Sequence, residues 1–106
     1  MYKMFLDDER FAEDYYDDGE FYTTRSVEDA IEVIEEISCP SFISFDHDLG
    51  LGKTGMDFAK WLIEMDLDSP GFIPDNFTFN VHSANPVGRI NIMSIMDNYL
   101  IDRVTL

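Results

Sequence analysis

Positive charge is what this sequence has least of. Seven Lys and Arg stand against 22 Asp and Glu, a formal net charge of −15 at pH 7. Such a surface repels nucleic-acid phosphates and anionic lipid at long range, so neither duplex DNA nor a membrane is an expected partner. Bound cations or a basic protein surface are the natural complement, although most acids in such a chain simply solvate helix faces and loops. Cysteine is nearly missing: Cys39 is alone and cannot form an internal disulfide. No apolar run approaches the roughly 20 residues that span a bilayer. The opening MYKMFLDDER has neither the basic region nor the long apolar run of a signal peptide. The cytoplasm is the expected location. With 106 residues, 45% of them hydrophobic, the chain has room for one core, so residues 1–106 are expected to form one domain. It has no internal repeat, low-complexity tract or linker.

Short apolar runs that stop at polar residues predict strands over Tyr2 to Leu6, Phe21 to Arg25, Ser41 to Phe45 and Phe77 to Val81. A short helix is expected around Phe11 to Tyr16, with Gly19 as a turn signal. Ser26 to Ile37 carries an apolar stripe of Val27, Ala30, Ile31, Val33, Ile34 and Ile37, and Ser26 with Asp29 resembles a capping box. Cys39 and Pro40 end that helix. Gly50, Gly52 and Gly55 make a loop that leads to Thr54 as N-cap of a helix from Met56 to about Met65, packing through Phe58, Ala59, Trp61, Leu62 and Met65. Asp66 to Asn76 reads as a loop. Asn85 as N-cap and Pro86 as first residue start a helix carrying Ile90, Met93, Ile95, Met96 and Leu100. Ile101 to Leu106 are expected to add a short fifth strand.

Strands alternating with helices pair in parallel, and ligands gather beyond their carboxyl ends. The expected class is α/β, a parallel sheet of four to five strands with order 2-1-3-4(-5). Three strands end in polar clusters at that edge: Asp7-Asp8, Asp46-His47-Asp48, and His82-Ser83 with Asn85. In this order the first and third strands are neighbours, roughly 5 Å apart. Carboxylates that close raise one another's pKa unless a cation intervenes. Oxygen ligation by Asp7, Asp8, Asp46 and Asp48 suits Mg²⁺ or Mn²⁺ better than Zn²⁺. The alternative is an acidic loop cluster with only weak cation affinity.

His82 ends a strand just before a helix N-terminus, where N–H groups and the helix dipole favour an anion, so it is a candidate general acid or base beside a phosphate. The competing reading is a histidine bonded into the neighbouring loop. His47, between two candidate ligands, is expected to point away from them and to be structural. Arg10, Lys53 and Arg89 are three of the seven cations and each adjoins a polar loop, where it would supply local charge for a phosphate. GKTG at Gly52 to Gly55 lacks the glycine spacing of a P-loop, and nucleotide binding by that motif is rejected.

The strings FLDDER (Phe5 to Arg10), SFDHDLG (Ser44 to Gly50), TGMDFAKWL (Thr54 to Leu62) and HSANPVG (His82 to Gly88) together resemble the cyclic-phosphate processing receiver domains, relatives of the response-regulator receiver. The resemblance implies a flavodoxin-like, receiver-like three-layer sandwich, Asp7 and Asp8 as acidic metal positions, Asp46 at the phospho-acceptor position and Ser83 as the hydroxyl after the fourth strand. Receivers carry a Lys after a fifth strand, whereas Tyr99 to Leu106 has only Arg103, which argues against aspartyl-phosphate signalling. The expected function is metal-dependent processing of a small phosphate ester or RNA end carrying a cyclic phosphate. Asp46, Asp48 and His82 would be catalytic, with Arg10, Lys53, Ser83, Asn85 and Arg89 on the phosphate. The alternative is a non-catalytic acidic module that binds a basic protein partner.

Overall fold

The computed structural model describes residues 1–17 and 20–105. Strands β1 (Lys3–Leu6), β2 (Phe21–Thr24), β3 (Phe42–Phe45) and β4 (Thr78–Val81) form one parallel sheet in the order β2-β1-β3-β4. Helices α1 (Val27–Ile37), α2 (Gly55–Asp68) and α3 (Pro86–Thr105) complete a receiver-like, flavodoxin-like fold. The expected strand order is met. The expected fifth strand is not: α3 continues through Thr105, because no Gly or Pro interrupts it after Gly88 and because Tyr99 and Arg103 are both bonded to Asp66 of α2. Leu106 and the Gly19 turn lie outside the described residues. β4 is therefore an edge strand of the sheet among those residues. The helix expected over Phe11 to Tyr16 shrinks to a single 3-10 turn, Ala12–Asp14.

Each helix starts where a side chain satisfies its first N–H groups, a contribution of about 1 kcal/mol per cap. Ser26 Oγ accepts from the Asp29 N–H at 3.0 Å, while the Asp29 carboxylate turns back to the Arg25 N–H rather than to Ser26. Thr54 and Asp57 form a full capping box on α2. Asn85 Oδ1 accepts from the Gly88 N–H at 3.0 Å, as the sequence pattern of α3 requires. α2 runs past Met65 to Asp68, since Asp66 is buried and its carboxylate receives the Ile73 N–H at 2.9 Å.

Right-handed crossovers decide which face each connection covers. The chain steps from β1 to β2 in one direction across the sheet, then from β2 over β1 to β3 and on to β4 in the other. The first connection accordingly lies on one face, and α1 and α2 lie on the opposite one. Met4, Leu6, Ile43, Phe45 and Val81 point into the helical side and join Val27, Ala30, Ile34, Phe58, Leu62, Ile92 and Met96 in the main core. Ile92 and Met96 supply the buried stripe of α3, whereas Ile90 and Met93 of the expected stripe are 58% and 38% exposed. The helix phase follows from Gly88, which lies against the His47 ring, so that Ile92 four residues on faces the core.

Strand residues of the other parity, Phe5, Ser44 and Asn80, share the second face at one register level. Instead of a long helix, that face carries the 3-10 segment, whose Tyr15 and Tyr16 rings pack with Phe5, Phe21 and Phe42. Phe5 is fully buried there, worth about 1.5–3 kcal/mol. Cys39 is buried in the main core, where desolvation pushes its thiol pKa up to about 12 and leaves it unreactive. No described helix is long and apolar enough to cross a membrane.

Candidate functional site

The sheet ladder extends one residue beyond three strands. Asp7 N–H donates to Thr24 O, Asp46 N–H to Leu6 O and His82 N–H to Phe45 O, at 3.1, 3.0 and 2.9 Å. Asp7, Asp46 and His82 therefore stand in a row on adjacent strands. By the period of two, each side chain falls on the same face as Phe5, Ser44 and Asn80, away from the helices. One ligand atom from each of the three lies within 4.8 Å of the others. Asp7 and Asp46 are 0% and 1% exposed.

Asp7 is saturated. Its Oδ1 accepts the N–H groups of Glu9 and Arg10, both at 2.9 Å, as in an Asx turn, and Oδ2 accepts Arg10 Nε at 2.9 Å. The His82 Nε2 lies 3.0 Å from the same Oδ2. Burial pushes the Asp7 carboxyl up, but the two backbone N–H groups, His82 and Arg10 together hold it below the ordinary carboxylate range. Asp46 is less well compensated. Burial and the neighbouring Asp7 charge raise its pKa, against the partial pull of Arg10, His82 and the Ser83 hydroxyl.

Arg10 bridges the pair. Its Nη2 donates to Asp46 Oδ2 at 3.1 Å and its Nη1 to Tyr15 OH at 2.8 Å, and its side chain is 33% exposed. Two carboxylates and one guanidinium leave a net charge of −1. The Asp7–Arg10 turn is itself pinned by Arg25, whose Nη1 donates to the carbonyls of Asp7 and Arg10 at 3.0 and 2.6 Å.

His82 is enclosed. Its side chain is 2% exposed, stacked on Phe5 with 4.5 Å between ring centroids and capped by Tyr15 at 4.8 Å. Burial lowers its pKa, partly opposed by Asp7 and Asp46. Both ring nitrogens are engaged: Nδ1 lies 2.7 Å from Ser44 Oγ, which is 2.7 Å from Tyr16 OH, which accepts from Asn80 Nδ2 at 3.0 Å.

The other expected site residues sit elsewhere around this row. Asp8 is exposed and faces the β3–α2 loop, where a Cβ on Gly50 would be 3.5 Å from its Oδ2. Asp48 is exposed, 2.8 Å from His47 Nδ1 and within 3.4 Å of Asn85 Nδ2, and the imidazole then the amide hold its carboxyl below the ordinary range. It belongs to the start of α3 rather than to the Asp7–Asp46 pair. His47 points away from that pair, its ring lying against Gly88. Ser83 Oγ accepts the Asn85 N–H at 3.1 Å, and Arg89 is exposed on the first turn of α3. Lys53 is exposed beside a cleft between α1 and α2 lined by Val27, Ile31, Lys60 and Trp61.

The sequence reading missed Tyr15, Tyr16, Arg25, Ser44 and Asn80. A signal for two of them was present: Ser44 and Asn80 are polar residues inside apolar strands, each two positions before a site residue and hence on its face. Nothing in the pattern Phe11 to Tyr16 announced that its aromatics would fold over the site.

The donor set fits a divalent cation. Two neighbouring buried carboxylates with an unbalanced negative charge are a grouping that hard cations accept, and the His82 imidazole stands beside them. No curated protein and no solved structure matches this chain significantly. The family model for the cyclic-phosphate processing receiver domain matches residues 2–98. With the 2-1-3-4 sheet and the acidic row at its carboxyl edge, the chain belongs to the cyclic-phosphate processing receiver domain family.

Proposed function

We propose that this domain holds a divalent cation, Mg²⁺ or Mn²⁺, at Asp7 and Asp46 and uses the site to process a small phosphate ester, a cyclic phosphate or the cyclic-phosphate end of an RNA. The observation that carries this reading is the pair of buried carboxylates on adjacent strands, with one guanidinium between two negative charges. A group that remains partly uncompensated in a buried place favours a further positive charge. The cation, when bound, supplies Lewis-acid charge for a phosphoryl oxygen. Arg10 presents a planar fork at the exposed side of the pair and would clamp non-bridging phosphate oxygens bidentately. Ser83 and Asn85 set the start of α3 beside Asp46, where a phosphate would meet N–H groups and the positive end of the helix dipole. Arg89 and Lys53 are exposed, and they would serve mainly to draw an anion towards an otherwise repelling surface.

A second reading, an acidic module that binds a basic protein surface in the cytoplasm, is favoured by the net charge of −15 and by Arg10 already standing between the carboxylates. Titration calorimetry with Mn²⁺, followed by incubation with a 2′,3′-cyclic nucleotide, separates the two. The metal reading predicts saturable binding that is lost in Asp46→Asn and kept in the surface variant Glu36→Gln. Equal behaviour of the two variants would overturn it in favour of the charge-based reading, and binding to a basic partner would then weaken steeply with salt.

A further inference from the structure

The chain of contacts Asn80–Tyr16–Ser44–His82–Asp7 runs unbroken from an exposed strand residue to the buried carboxylate. Its two ends fix its direction. An ionised carboxylate only accepts, so the proton between His82 and Asp7 sits on Nε2; an amide nitrogen only donates, so Tyr16 OH accepts from Asn80. Between these ends each group has one proton to give. Tyr16 gives its own to Ser44 Oγ, Ser44 gives its own to His82 Nδ1, and His82 gives its Nε2 proton to Asp7 Oδ2. A doubly protonated ring would reverse the Ser44 bond and leave the Tyr16 hydroxyl without a protein acceptor among the described residues. Ser44 is fully buried, so its hydroxyl has no water with which to exchange these bonds.

We propose that Ser44, Tyr16 and Asn80 are positioning residues that lock His82 in the neutral Nε2–H tautomer, and that His82 in turn aims the Asp7 carboxylate rather than exchanging protons with substrate or ligating a cation. Both ring nitrogens are then used, one as donor and one as acceptor, and the ring is clamped between Phe5 and Tyr15. The arrangement ties the 3-10 segment on the second face to the metal-facing carboxylate, since Tyr16 is part of the same chain as Asp7. In its functional part this inference rests on the cation reading above; in its structural part it does not.

Long-range ¹H–¹⁵N correlation spectra of the imidazoles, recorded on the cation-free protein at neutral pH, test the structural part. His82 is expected to show one protonated nitrogen, Nε2, and one unprotonated nitrogen, Nδ1, while Ser44→Ala is expected to leave the proton on Nε2 beside Asp7 and to shift the Nδ1 resonance downfield, as loss of an accepted hydrogen bond requires, with the fold intact by circular dichroism. A doubly protonated ring, or a proton on Nδ1 in the parent protein, overturns the lock, and this result needs no variant to fold. The functional part is tested with Mn²⁺ alone by calorimetry. His82→Gln places an amide N–H near the Nε2 position and is expected to keep Mn²⁺ affinity within about threefold, whereas His82→Ala is expected to lose tenfold or more. If Gln loses as much as Ala, His82 is a ligand or a proton carrier and the positioning role fails. If the parent protein does not bind Mn²⁺ at all, the cation reading and the functional part fail while the tautomer result stands.

Discussion

Arg10→Gln isolates the competition at the centre of the site. The guanidinium makes two ionic contacts, 2.9 Å to Asp7 and 3.1 Å to Asp46, and a 2.8 Å bond to Tyr15 OH. Each charge-assisted bond is worth about 1.5–3 kcal/mol when shielded. The side chain is one-third exposed, so solvent screening brings the total to about 1.5–2 kcal/mol. A cation that shares Asp7 and Asp46 must loosen these contacts, and its apparent affinity is reduced by that amount. Removing Arg10 also leaves the full charge of −2 on the pair. Mn²⁺ should therefore bind Arg10→Gln about 10- to 30-fold more tightly, at 1.4 kcal/mol per tenfold. The cation-free variant should melt lower than the parent, because two buried like charges lose their counter-ion, and Mn²⁺ should restore the loss. Calorimetric titration and melting curves with and without Mn²⁺ measure both effects. Unchanged or weaker Mn²⁺ affinity in a folded Arg10→Gln protein would refute the argument, since it would place the cation elsewhere or make Arg10 a helper.

Two glycines and one buried acid give further expectations. A Cβ on Gly55 would lie 1.9 Å from the Asp46 carbonyl oxygen, a backbone atom that cannot yield; Gly55→Ala should cost about 3 kcal/mol in urea unfolding or prevent folding. On Gly88 the atoms nearest the added Cβ belong to the His47 side chain, 2.4 Å away at Cγ. Gly88→Ala should accordingly cost less, about 1–2 kcal/mol, and shift His47 resonances while leaving His82 unchanged. Asp66 ties α2 to α3 by accepting from Ile73 N, Tyr99 OH and Arg103, at 2.9, 2.6 and 3.2 Å. Burial pushes its carboxyl up, but these donors outweigh burial and hold it below the ordinary range, while burial and the Asp66 anion push Tyr99 up to about 12. A native pKa below the unfolded one means that stabilisation is full above the ordinary range, near pH 4, and fades as pH falls through the native value. Asp66→Asn should lose about 2–3 kcal/mol at pH 7 and show a flatter stability curve below pH 4 than the parent; an acid limb of unchanged slope would contradict the assignment.

Most of the architecture is legible in the residues themselves. Apolar runs that stop at Asp7, Asp46 and His82, caps at Ser26, Thr54 and Asn85, and the glycine loop before α2 all act through local geometry, which the chain carries in its order. The approach of β1 to β3 follows from parallel pairing and crossover handedness, so the meeting of Asp7 with Asp46 was also within reach of sequence argument. The length of α3 was not: the last turn is helical because Tyr99 and Arg103 find Asp66, a contact between residues distant in sequence.

What sequence alone determined is the supply of acids at one edge of a parallel sheet. Which of them share a site was decided only by tertiary structure. In the pairs Asp7-Asp8 and Asp46-His47, the period of two turns the first member onto the second face and the next one away from it; Asp48 is then drawn to His47 and Asn85 at the start of α3. Arg10 reaches both carboxylates, and Tyr16 reaches Ser44, only because the chain from Glu9 onward folds back over that face as a 3-10 turn instead of a long helix. Such contacts depend on where a short connection lands on a finished sheet, and no periodicity in its own residues encodes the landing place.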